Sequence, residues 1–188
     1  MIKHVMVLAL FVLMSPGTMA SVYRGGVTGG GGNVLVTSQP TRLMDREQVE
    51  MRIRTLRPAI VDYLRRKELD FRNGRMDPAA QRAFQPLFIN RHQVATMTDA
   101  IRLHVDDWHP CFDQNAVAFD GTALTCHADS ICLSALRIAR KVDAAEIDAQ
   151  AGALMIHEFS EALGLSDDEA IALQRAALTE LKGLSADK

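Results

Sequence analysis

The sequence predicts an α+β domain that is mostly helical, with a few short strands packed on helices. A late helix followed by a C-terminal helix closes the chain. Three observations carry this. Apolar residues recur at helical spacing along residues 45–67 and again along 144–182. The stretch 106–132 between them is punctuated by Asp, Gly, Asn and Pro and holds only short β-rich runs. Aromatic residues are only 5% of the chain, so the core must be built from Leu, Ile, Val, Ala and Met, which favours helices.

The N-terminus predicts a targeting segment rather than a structural element. Lys3 precedes the uncharged run Val5 to Met14, too short to span a bilayer and of the length of a secretory h-region. Ser15-Pro16-Gly17 breaks that run, and Thr18-Met19-Ala20 offers small residues for cleavage after Ala20. Residues 1–20 are therefore read as a signal peptide, and the mature chain as secreted or periplasmic. No cysteine stands at the cleavage point, and no second apolar run of ~18 residues follows, so no membrane anchor is expected after cleavage. Residues 21–32 hold six glycines and are expected to form a flexible leader. Residues 33–188 are expected to form a single domain.

Without Lys3 the mature chain carries 20 basic and 23 acidic residues, a net charge of −3. This mild acidity, with no basic patch interleaved with aromatics, argues against a nucleic-acid partner. Cys111, Cys126 and Cys132 all lie in the mature part, and in an oxidising compartment two of them should pair. The pairing is open; Cys111 with Cys132 is preferred because the two flank one irregular segment. Oligomeric state is not readable from the sequence.

The elements follow in order. Asn33 to Thr37 is a short β-rich run and a candidate strand. Asp45 and Gln48 have capping-box spacing, and Val49, Ile53, Leu56, Ile60 and Leu64 form the apolar stripe of the helix that follows. Pro58 should kink it. Arg52, Arg54, Arg57, Arg65, Arg66 and Lys67 crowd its other faces, read as a solvated surface in preference to an anion site. Asp77-Pro78 should start a helix reaching about Phe84 and interrupted near Pro86. Residues 92–105 read as helical or mixed. Ala116 to Phe119 and Ser130 to Leu133 are candidate strands, and Ser134 to Val142 a short helix. Asp143 and Glu146 form a D-x-x-E box ahead of a helix spanning Ala144 to Leu163. Gly164 stands where a helix-terminating glycine belongs, and Ser166 with Glu169 caps a last helix from Asp167 to about Lys182.

The chemistry-bearing residues cluster at that corner. His157 and Glu161 lie four apart, on one helix face, and can converge on one metal ion. Glu158 beside them could take a proton from a metal-bound water. Gly164 permits a sharp turn that could return Asp167, or as second choice Glu169, as a third ligand. The bland reading is a surface helix with solvated His and Glu, Asp167 serving only the next helix's dipole. His104, Trp108, His109 and His127 lie in or beside the cysteine loop and could donate a ligand or line a substrate cleft, though the loop histidines are read as solvated. Cys126-His127 suggests a thiol nucleophile, for which disulfide use is the plainer account.

The string His157-Glu158-Phe159-Ser160-Glu161-Ala162-Leu163-Gly164-Leu165-Ser166-Asp167 resembles the H-E-x-x-H-x-x-G-x-x-H/D pattern of zinc-dependent metallopeptidases of the metzincin type. More loosely, residues 110–175 are similar to secreted bacterial peptidases with a glycine-rich leader, a Cys-containing loop and a late H-E-x-x-H helix. The resemblance implies an active-site-like helix, zinc as cofactor, and a peptide or protein substrate. It implies His157, Glu161 and Asp167 as metal ligands and Glu158 as catalytic base. Glu161 departs from the pattern, standing where the family has its second His. Its extra negative charge weakens a metal ion's power to acidify water. Three states follow: an altered site with activity, a metal site without it, or a relic. The alternative function is a non-catalytic exported binding or structural protein that keeps the fold.

Overall fold

The computed structural model describes residues 32–36, 39–89, 91, 93–113, 115–123 and 130–186, with side chains described as far as 182. The expected signal peptide, all of the expected leader but Gly32, and Cys126 and His127 lie outside these residues. The fold is α+β and mostly helical, as predicted.

Helix α1 (Arg46–Arg72) is capped by Asp45, whose carboxylate accepts from the Gln48 amide at 2.7 Å. Val49, Ile53, Ile60 and Leu64 of its stripe are buried, and Leu56 is partly so. The helix continues through Pro58 to Arg72. Most of its basic residues have partners within the molecule. Arg52 pairs with Asp148, Arg54 with Glu50, Arg65 with Asp62 and Lys67 with Glu180, while Arg57 donates to the carbonyls of Asp99 and Ile101.

Helix α2 (Pro78–Ile89) starts at Asp77 as expected but does not stop near Pro86. Leu87 and Phe88 beyond the proline are buried, and Phe88 stacks on Phe84 with ring centroids 5.5 Å apart. Burial of that last turn outweighs the hydrogen bond the proline cannot make. Residues 92–105 resolve into α3 (Val94–Ala100) and β1 (Arg102–Asp106).

Strands β2 (Cys111–Phe112), β3 (Ala118–Phe119), β4 (Gly121–Ala123) and β5 (Ser130–Ser134) follow, then α4 (Ala135–Ala139). β5 is the centre of a three-stranded sheet, parallel to β1 and antiparallel to β4, while β2 and β3 form a separate hairpin. A Cys111–Cys132 disulfide ties the hairpin to β5.

Helix α5 (Ile147–Ala162) is the core of the molecule; every residue from Ala149 to Ser160 is buried. It packs against α1, against α6 (Asp167–Ala186) and against β4 and β5. Gly152 makes this close packing possible, since a Cβ there would lie 2.9 Å from Ile60 Cδ1 and 3.2 Å from Leu181 Cδ1. The D-x-x-E box at Asp143 does not start this helix. Residues 144–146 are a turn and Glu146 is the residue before the first helical one. The Asp143 carboxylate is engaged by the Thr41 amide and hydroxyl at 2.7 and 2.6 Å and by the Arg42 amide at 3.0 Å. The other oxygen, Oδ1, accepts from the Ala145 amide at 3.0 Å, so the carboxylate caps the 144–146 turn while the helix itself begins at Ile147.

The candidate strand at Asn33 to Thr37 is not one. Residues 33–36 are an extended strap with no strand assignment, and Thr37 lies outside the described residues. The strap's backbone bonds to side chains. Asn33 O accepts from Gln174 Nε2 at 2.9 Å, Val34 N donates to Asp120 Oδ2 at 3.1 Å, and Leu35 N donates to Gln150 Oε1 at 3.0 Å. Gln150, Gln174 and Asp120 are all buried. Gly32, expected in a flexible leader, is buried as well and exchanges two backbone hydrogen bonds with Gly121, at 3.1 and 3.0 Å.

Candidate metal centre

The site lies at the C-terminal end of α5, where α6, β4 and the strap meet. Its helix face is ordinary periodicity: His157 and Glu161 are one turn apart and stack on one side. After Ala162 the chain reverses. Gly164 has φ +88°, a conformation open to glycine, and Leu165 N returns to Ser160 O at 3.0 Å. Ser166 and Glu169 complete the predicted box, with Glu169 Oε2 accepting from Ser166 N at 2.9 Å and from its hydroxyl at 2.8 Å. Glu169 is thereby committed to the cap and is not the third ligand.

The corner brings Asp167 back as the spacing predicted. His157 Nε2 lies 3.7 Å from Glu161 Oε2 and 3.7 Å from Asp167 Oδ1. The ligand atoms that all fall within 4.8 Å of one another are those of His157, Glu158 and Glu161, so the expected base joins the tight group while Asp167, the expected third ligand, stands beside it at His157. Among the described residues no other group of three such side chains meets at this distance. His157 and Glu158 are fully buried, Glu161 keeps 9% of its side chain exposed and Asp167 24%. These are not the solvated side chains of a surface helix.

The polar atoms are short of partners. Both ring nitrogens of His157, Glu158 Oε2 and Glu161 Oε2 are buried without a hydrogen bond. A native interior rarely leaves so many together. Glu158 Oε1, by contrast, accepts from the Gly32 amide at 2.9 Å.

Electrostatics follow from burial and crowding. Burial pushes the His157 imidazolium down to about 4, although the Ala170 backbone and the Gln174 side chain approach closely enough to oppose this, so the ring is neutral at pH 7. Burial first, then the Glu161 charge, raises the Glu158 carboxyl well above the usual range. Burial, then the Asp167 charge, lifts Glu161 to about 7, partly offset by the neighbouring Glu158 carboxyl. Asp167 is raised too, by burial and by Asp168. Three carboxyls thus face one another around one neutral imidazole, the donor set of a site for a divalent cation.

The other candidates stand elsewhere. His104 and His109 are exposed and flank the Asp106 carboxylate at 3.9 and 3.4 Å. Trp108 is exposed under the Arg46 guanidinium, 3.4 Å from the ring centroid. Sequence reasoning missed Gly32 and Gly121, which hold Glu158 from outside α5. The only signal for Gly32 was its glycine run, which reads equally as a linker.

The fold and site together define a helix-rich α+β domain with a buried His/carboxylate centre at a helix corner. Compared with models of protein families, with curated proteins and with solved structures, the chain matches none.

Proposed function

We propose that the protein is an exported zinc metallopeptidase-like protein in which His157, Glu161 and Asp167 hold the cation and Glu158 serves as base. The observation that carries this reading is the group of buried, unpartnered atoms on His157, Glu158 and Glu161. A divalent cation would take the Nε2 of His157 and face the free carboxyl oxygens, cancelling the mutual repulsion of the carboxyls. When bound, it supplies an acidified water and a polarised carbonyl. His157 contributes a neutral nitrogen. Glu158, one residue along the helix from His157, is the carboxyl placed to take a proton from a cation-bound water. Glu161 lowers the expected activity, because two anionic ligands soften the cation's pull on water. Export is supported by the Cys111–Cys132 disulfide. Among the described residues no helix is long and apolar enough to cross a membrane.

A second reading is favoured by the enclosure of the site. Glu158 is fully buried against the strap, as in a metal site that holds a fold together without catalysis. Metal content of the purified protein is the first test. Stoichiometric zinc is expected; none, under conditions where Glu161→His binds it, removes the metal reading. Hydrolysis of a denatured protein substrate then separates the two functions. Glu158→Gln should lower the rate at least 100-fold if Glu158 is the base, and equal rates for both proteins leave the non-catalytic reading.

A further inference from the structure

We propose that Gly32 is a positioning residue for Glu158, and that the strap is thereby part of the metal centre. The inference rests on the metal-site reading above and assigns it a component 126 residues away from Glu158 in sequence.

The argument starts from the two oxygens of Glu158. Oε1 takes the Gly32 amide, at 2.9 Å. Oε2 takes nothing. The carboxyl is therefore held at one end with its other oxygen free, in the group it forms with His157 and Glu161. A carboxyl that must accept a proton or face a cation needs this arrangement, one oxygen fixed and one free.

The amide reaches Oε1 because residue 32 has no side chain. A Cβ on Gly32 would lie 2.6 Å from Glu158 Oε1, 2.8 Å from His157 Cδ2 and 2.8 Å from Leu154 Cδ1. Gly121 shows the same constraint from the sheet side, its Cβ falling 2.7 Å from the same oxygen. The two glycines face each other through their paired backbones, and Oε1 sits against both.

The strap cannot yield to relieve such a clash. Three buried side chains, Gln174, Asp120 and Gln150, bond its next three residues, and Gln150 Nε2 also donates back to Leu35 O at 2.9 Å. An added methyl must instead displace the free ends of Glu158, His157 and Leu154, and the Glu158 carboxyl is the nearest of them.

The test is a double-mutant cycle read by zinc titration calorimetry at pH 7.5. It uses the purified protein, Gly32→Ala, Glu158→Gln and the double variant. Wild type should bind one equivalent. Gly32→Ala should weaken zinc binding about tenfold or more, the usual size of an outer-shell loss. In the Glu158→Gln background the same substitution should cost at least about threefold less than in wild type, because the part that runs through the carboxyl is gone and only the push on His157 and Leu154 remains. Unchanged affinity in Gly32→Ala overturns the assignment. So does an equal loss in both backgrounds, which makes Gly32 a packing residue only. Wild type that binds no zinc sinks the metal reading together with this one, whereas zinc bound equally by wild type and Gly32→Ala sinks this one alone. Should Gly32→Ala fail to fold by circular dichroism, Gly121→Ala carries the same cycle. Failure of both to fold shows that the glycines serve the fold, and overturns the assignment.

Discussion

Glu161→Gln should stabilise the metal-free protein, and only at neutral to alkaline pH. Burial and the Asp167 charge hold the Glu161 carboxyl at about 7 against an ordinary 4.5. The unfolded chain loses this proton near the ordinary value, while the folded protein keeps it to about 7. The protonated carboxyl therefore favours the fold fully below 4.5, and that advantage is lost as pH rises through the folded value. The shift corresponds to about 3 kcal/mol, and screening through the side open to Asp167 reduces it to about 1.5 kcal/mol. Gln cannot ionise and escapes the loss. In EDTA at pH 8 the variant should melt about 3–6 °C higher than wild type, a chain of this size gaining ~2–4 °C per kcal/mol. At pH 4 the two should melt together. His157, lowered to about 4 from 6.5, destabilises both proteins as pH falls through that window and cancels from the difference. Thermal melts by circular dichroism at pH 4, 6 and 8 measure it. A melting difference independent of pH, or a variant less stable at pH 8, would refute the buried-carboxyl account.

Two further outcomes follow. Gly164→Ala places a side chain at φ +88° and sets its Cβ 2.7 Å from Arg91 Nη2, so urea unfolding should show a loss of about 1 kcal/mol or more; unchanged stability would mean the corner is not held in that conformation. Asp120→Asn leaves Arg137 and Lys141, which bond Asp120 at 2.7 and 2.6 Å, without their buried counter-charge. A loss of about 3 kcal/mol in urea is expected, and one under 1 kcal/mol would show the triad to be solvated.

Local signals carried much of this architecture. Asp45 and the stripe of α1, the glycine at the α5–α6 corner and the Ser166–Glu169 box are each complete within a few residues, and each is found where the spacing placed it. The D-x-x-E box at Asp143 is as good a local signal but caps only the 144–146 turn, its carboxylate being shared between the Ala145 amide and Thr41, 102 residues earlier. Pro86 failed as a breaker for the same kind of reason: the burial that sustains α2 belongs to the whole core. At the candidate site the helical spacing of His157 and Glu161 and the turn to Asp167 were readable. The backbone amide that grips Glu158 was not, since no periodicity marks a strap and no motif links Gly32 to residue 158.

The strap also sets the order in which the molecule can be assembled. Its hydrogen bonds run from Val34 to Asp120, from Leu35 to Gln150, from Gly32 to Glu158 and from Asn33 to Gln174, spanning 86, 115, 126 and 141 residues. Closing loops of that length is entropically late, and none of the four can form until its partner has left the ribosome. Gln174 lies in the last helix. Gly32, Val34 and Leu35 find their partners before α6, but Asn33 waits for Gln174, so the strap is fully seated, and the centre closed, only once α6 has packed onto α5.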